Sequence, residues 1–331
     1  MRSCLLLLTL LSQAGAARWS LPVSLLGFDG QGHAVTTRSG GGATRLEVRD
    51  TGTGQLLRAT PLDARGPGVT FNADVTVAAW VRADTLHVWR AGQEVAVPAS
   101  QNGLAGTQVL ALSPDGTRLY AGNFNGYVQV WNTQTATRER TLPQRTWGVN
   151  RLRVSPDGQG LFMGTQGGAS RVYDTRDWSF TTLPDVFAKT VHSVAFSPDG
   201  TRLAVADGVE PARLLNLRDP AQSRTLPRPT APCEVTVWGG RCATGPVTLN
   251  FSADGQTLLV AHMNGLAVLY DIRTGRPRAQ VSGTDPGQTL LSPDGRTVLS
   301  GGIWSPPLRA DRKSTRLNSS HRCISYAVFC L

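Results

Sequence analysis

One tetrapeptide does most to constrain the fold of this chain. Ser-Pro-Asp-Gly stands at residues 113–116, 155–158, 197–200 and 292–295, and Ser-Ala-Asp-Gly at 252–255. Weaker versions stand at 28–30 (Phe-Asp-Gly) and 71–74 (Phe-Asn-Ala-Asp). The turn aspartates are Asp29, Asp74, Asp115, Asp157, Asp199, Asp254 and Asp294, spaced by 45, 41, 42, 42, 55 and 40 residues. A period of this size marks stacked supersecondary units, each unable to bury its apolar face alone.

The interior of each unit follows one plan. An alternating apolar run such as Val191–Phe196 leads into the tetrapeptide, where proline presets φ and glycine supplies the positive φ of a tight hairpin. A second apolar run ends in another hairpin signal: Asn125-Gly126, Gly167-Gly168, Asp207-Gly208 or Asn264-Gly265. A third run follows, and counting sixteen residues from the turn aspartate lands on Trp131, Tyr173, Leu215 and Tyr270, each followed by Asn or, after Tyr, Asp. A fourth, short run closes in Thr-Leu-Pro at 141–143, 182–184 and 225–227. Four short antiparallel strands per forty-odd residues make one propeller blade. The expectation is therefore an all-β, seven-bladed β-propeller over residues 17–310, its last blade cut short.

At these residues the chain resembles the WD40-like (WD40/YVTN-type) repeat family. The shared features are the Phe-Ser-Pro-Asp-Gly turn, the small-residue second strand, and Trp-Asn or Tyr-Asp where that family carries Trp-Asp. No unit opens on the Gly-His dipeptide common in that family, so the broader group is the better match. What the resemblance implies is a rigid platform for binding another protein.

Both ends of the chain fall outside the repeat. Arg2, the apolar run 5–11 and the small residues Ala14-Gly15-Ala16 form the pattern of a cleavable signal peptide over 1–16, which places the protein outside the cytoplasm, secreted or periplasmic. That apolar run is too short to span a bilayer. Trp19-Ser20-Leu21-Pro22 matches the fourth-strand pattern and is expected to complete the last blade. Residues 311–331 abandon the pattern and resemble the translation of a common short-read sequencing adapter, so they read as an artefactual tail. The formal charge of +10 falls to about +6 once both ends are set aside, with no block of like charge to favour nucleic acid.

Of five cysteines, only Cys233 and Cys242 lie within the repeat region. Two cysteines so close in an exported chain are expected to form a disulfide. They sit in the long interval between Asp199 and Asp254, which adds about thirteen residues to one interblade connection. That loop also holds Trp238 and Arg241, residue types enriched at binding hot spots. Arg145, Trp147, Phe187 and Lys189, on neighbouring connections, extend it into a candidate basic and aromatic rim.

Nothing in the sequence gathers catalytic groups. The suggestive serines and aspartates are turn residues, the glutamates are scattered, and His33, His87, His192 and His262 show no metal-ligand spacing. No catalytic residue, metal or cofactor is expected. The expected protein is an exported, monomeric, non-catalytic interaction platform that binds another protein, with no nucleic acid and no membrane span. Two alternatives stay open: a propeller hydrolase or lactonase with its site at the channel mouth, and an accessory propeller of a larger protein.

Overall fold

The computed structural model describes residues 24–40, 43–62, 69–82, 85–98, 106–142, 147–183, 190–229, 245–282, 284–302 and 325–330. Six four-stranded antiparallel sheets follow one another along the chain, each built from consecutive strands. The third is representative: Thr107–Leu112, Arg118–Asn123, Val128–Asn132 and Thr137–Leu142. A smaller seventh sheet pairs Thr289–Leu291 with Thr297–Gly302. The backbone of Ser325–Cys330 lies along its free edge. An unpaired edge is a template for any β-prone segment, so a run such as Ser-Tyr-Ala-Val-Phe-Cys pairs there whatever its origin.

The core is a set of layers between blades. Leu152, Leu161, Met163 and Tyr173 of blade 4 pack on Tyr120, Val128 and Val130 of blade 3, and similar clusters join every pair of successive sheets up to the seventh. Both faces of the second strands of blades 2 to 6 are therefore covered, and residues such as Leu119–Asn123 are buried without alternation. The outermost strand is exposed except at its end, where Leu62, Leu142, Leu183 and Leu226 tuck into the layer. This buried leucine is what the Thr-Leu-Pro pattern encodes.

The recurring turn is held by its own side chains. In each Ser-x-Asp-Gly unit the serine hydroxyl donates to the aspartate carboxylate and accepts a backbone N–H five residues on, as from Arg202 to Ser197 at 2.9 Å. The carboxylate accepts the N–H two residues later, at 3.1 Å from Thr201 in blade 5, and Gly200 sits at φ +67°. Blade 2 builds the same turn with Asn72, whose Oδ1 accepts from Thr76 and Val77, while Val75 takes the glycine's place at φ +56°. In blade 1 the turn is one residue shorter, and Asp29 stands where serine stands elsewhere, accepting from the backbones of Gln31 and His33. That shift accounts for the odd first spacing of 45.

These bonds hold turn carboxyls below the usual carboxylate range. For Asp254 and Asp294 the serine hydroxyl is the main cause; for Asp115 and Asp199 burial pushes upward, and the hydrogen bonds together outweigh it. A depressed folded-state pKa adds stability above the unfolded value of about 3.9 that is lost as pH falls through the folded value. Denaturant midpoints should be level from pH 7 to about 5 and fall steeply below about pH 4. Ser197→Ala should lower stability by about 0.5–2 kcal/mol at pH 7 and flatten that acid limb, read from denaturation at both pH values.

The first strands of successive sheets are neighbours around an axis, tied by side chains. Asn150 Nδ2 donates to the Val191 carbonyl at 2.9 Å, Ser193 Oγ accepts the Leu249 N–H at 3.1 Å, and Asn250 Oδ1 accepts that of Leu291 at 3.1 Å. The seventh sheet meets the first: Leu25 N–H reaches Gln288 Oε1 at 3.4 Å, and a Cβ on Gly32 would lie 3.5 Å from the Pro293 ring. The sheets thus form a propeller-like ring. Trp19–Pro22, expected to complete the last blade, lie outside the described residues.

Candidate interaction surface

Two rims bound the ring. One carries the Ser-x-Asp-Gly turns; the other carries the lead-in to each first strand and the hairpin joining second to third strands. On this second rim, Gln166 N–H donates to the Gly148 carbonyl and Met263 N–H to that of Gly245. The lead-in also packs on the preceding blade. A Cβ on Gly148 would lie 2.7 Å from the Phe124 carbonyl oxygen, and Thr190 Oγ donates to the Gln166 carbonyl.

Trp147 is the member of the expected rim that the structure describes, and it is 65% exposed. Its indole lies over Gly167 of its own blade's hairpin, so closely that a Cβ on Gly167 would overlap the ring. Arg145, Phe187, Lys189, Trp238 and Arg241 lie outside the described residues, as do Cys233 and Cys242.

Four exposed apolar residues were not singled out by sequence: Phe124, Tyr127, Val209 and Met263. All sit at second-to-third-strand hairpins on the same rim as Trp147. The other exposed large apolar side chains among the described residues, Leu56, Leu57, Val95 and Phe180, are on outermost strands. The available signal was an apolar residue beside the hairpin turn, as in Asn-Phe-Asn-Gly and His-Met-Asn-Gly. A solvated hairpin tip has no structural need for phenylalanine or methionine there.

The side chains that looked chemical are explained by the fold. Trp131, Tyr173, Leu215 and Tyr270 are buried against the preceding blade. The Asn or Asp after each caps the next turn, as when Asp271 accepts the Thr274 N–H at 2.7 Å. His87 is stacked at 5.3 Å on Trp80, its Nδ1 2.7 Å from Glu94. His33 is bound to Asp29. Trp178, at φ +65°, packs against the guanidinium groups of Arg118 and Arg140, 5.8 and 5.5 Å from its ring, and joins blades 3 and 4. Among the described residues no three His, Cys, Asp or Glu side chains gather as a metal site, and no helix is long and apolar enough to cross a membrane.

The architecture defines the class: an all-β propeller of four-stranded antiparallel blades with an exposed apolar rim. The family model for the WD domain, G-beta repeat, matches residues 102–132, ending on the Asn132 that closes the third strand of blade 3. Blade 3 carries Trp131-Asn132 at the position where blades 4 and 6 carry Tyr-Asp. No curated protein matches the chain.

Proposed function

We propose that this protein is an exported, non-catalytic platform that binds another protein on the rim carrying Trp147. A propeller with a WD40 repeat is a scaffold suited to protein interaction, and the observation that carries the reading is the segregation of Phe124, Tyr127, Trp147, Val209 and Met263 to that rim. Exposed apolar residues gathered on one face mark an interaction site more often than residues scattered singly. Trp and Tyr are also the types that dominate binding energy once buried. In this reading the seventh sheet, wedged between the sixth blade and the first, is the seventh blade.

Capture from the exported fraction tests it. Wild-type protein should enrich a defined partner, a Phe124→Ser/Trp147→Ser variant should lose it, and a Leu57→Ser/Phe180→Ser variant on the outer strands should keep it. Equal capture by all three rejects the rim. Loss of each anchoring aromatic should weaken the complex by about 2 kcal/mol or more, roughly 30-fold in Kd. The mature N-terminus should read Ala17 by Edman sequencing. A peptide linking Cys233 to Cys242 should appear in non-reducing mass mapping and vanish on reduction.

A further inference from the structure

The first strands of the ring are almost free of charge. The seven first strands carry two ionisable side chains between them, Arg151 and Arg153, both on Val149–Val154 of blade 4. An inner strand is bonded along one edge to its own blade and flanked on both faces by neighbouring inner strands. A side chain exposed there opens on the axis. Both arginines are exposed, while Leu152 between them is buried. They therefore project to one side, their Cα atoms about 7 Å apart.

The two guanidinium groups differ in their ties. Arg151 is anchored, its Nε donating to the His192 carbonyl at 2.6 Å and Nη1 to that of Asn150 at 2.9 Å. Arg153 makes no hydrogen bond or ion pair with any described residue. At its level, two residues before the turn, the flanking blades carry Ala111 and Ala195, and Asn250 follows one blade further on. At that level the neighbouring first strands thus carry no carboxylate. Crowding by protein lowers the pKa of both guanidinium groups, the sign of cations short of compensation.

We propose that the central channel binds a dianionic oxyanion of the phosphate class, with Arg153 as its forked ligand and the anchored Arg151 supplying the second positive charge. A planar guanidinium presents paired N–H donors that fit tetrahedral oxyanions, and two adjacent cations match a dianion. The site is independent of the apolar rim, so neither reading stands or falls with the other.

The test uses the full chain with inorganic phosphate as probe, against potassium chloride at equal ionic strength. Wild-type protein should bind phosphate by calorimetry and melt at a higher temperature in it than in chloride. Arg153→Gln should weaken phosphate binding at least about tenfold, the loss of one charge-assisted contact. In chloride it should melt no lower than wild type, since the Arg153 guanidinium makes no bond with any described residue. The proposal is overturned by no phosphate-specific shift in the wild type, or by an equal shift in Arg153→Gln. Loss of stability by Arg153→Gln in chloride also overturns it, because the guanidinium would then be a structural element.

Discussion

Glu47→Ala should destabilise the protein by about 3–5 kcal/mol, among the largest effects of any single polar substitution in the chain. Glu47 and Arg49 alternate on the third strand of blade 1 with Leu46 and Val48, which face blade 2. The pair therefore faces the seventh sheet, at the seam of the ring, with Glu47 3% and Arg49 5% exposed. Arg49 Nε donates to Glu47 Oε2 at 3.0 Å, and its Nη1 donates to the Gly54 carbonyl at 2.9 Å. Removing the carboxylate leaves a buried guanidinium with one carbonyl partner, and the desolvation cost is then uncompensated. Replacing both residues (Glu47→Leu with Arg49→Met) should be neutral or stabilising, because a buried ion pair gains little over apolar packing of like volume. Denaturant midpoints of Glu47→Ala and of the double variant check this. A single variant as stable as wild type would show that the seam admits water.

Trp80→Ala should cost about 3–5 kcal/mol, whereas Trp80→Phe should lie within about 1 kcal/mol of wild type. Trp80 is 1% exposed, on the second strand of blade 2, inside the layer shared with blade 1. Truncation to alanine empties a site that rigid sheets on both sides cannot close. Phenylalanine loses some buried area and part of the stacking on His87. It also removes the indole N–H, which is buried with no hydrogen-bond partner among the described residues. The two effects oppose each other. A loss of about 3 kcal/mol or more in Trp80→Phe would mean that the N–H is bonded, through water or otherwise.

The blade plan was open to sequence reading because every blade repeats the same local chemistry. The Ser-x-Asp-Gly turn closes on its own side chains, so it signals itself wherever it occurs. Blade 2 shows where that reading blurs: Asn72 performs the serine's role, and Val75 takes a positive φ that glycine takes elsewhere. Blade 1 shows a second limit, since a turn one residue shorter leaves Asp29 in the serine's place. Both differences lie in hydrogen-bond geometry, which composition at a position does not reveal.

The candidate site was less legible. Trp147 stood out as a large aromatic on a connection, but Phe124 and Met263 belong to hairpins whose Asn-Gly signal is fully explained as a turn. Only the assembled ring shows that these hairpins and the lead-in segments share one rim. Arg151 and Arg153 read locally as solvent-facing positions of an alternating strand, and the ring puts that strand among first strands that carry no carboxylate. What the sequence by itself determined is the repeat, the four strands of each blade and the residues that cap its turns, since these depend on contacts within about forty residues. What the tertiary structure alone decided is which side chains face the seam, the rim and the channel. Those are relations between blades distant in the chain, set by ring closure rather than by local spacing.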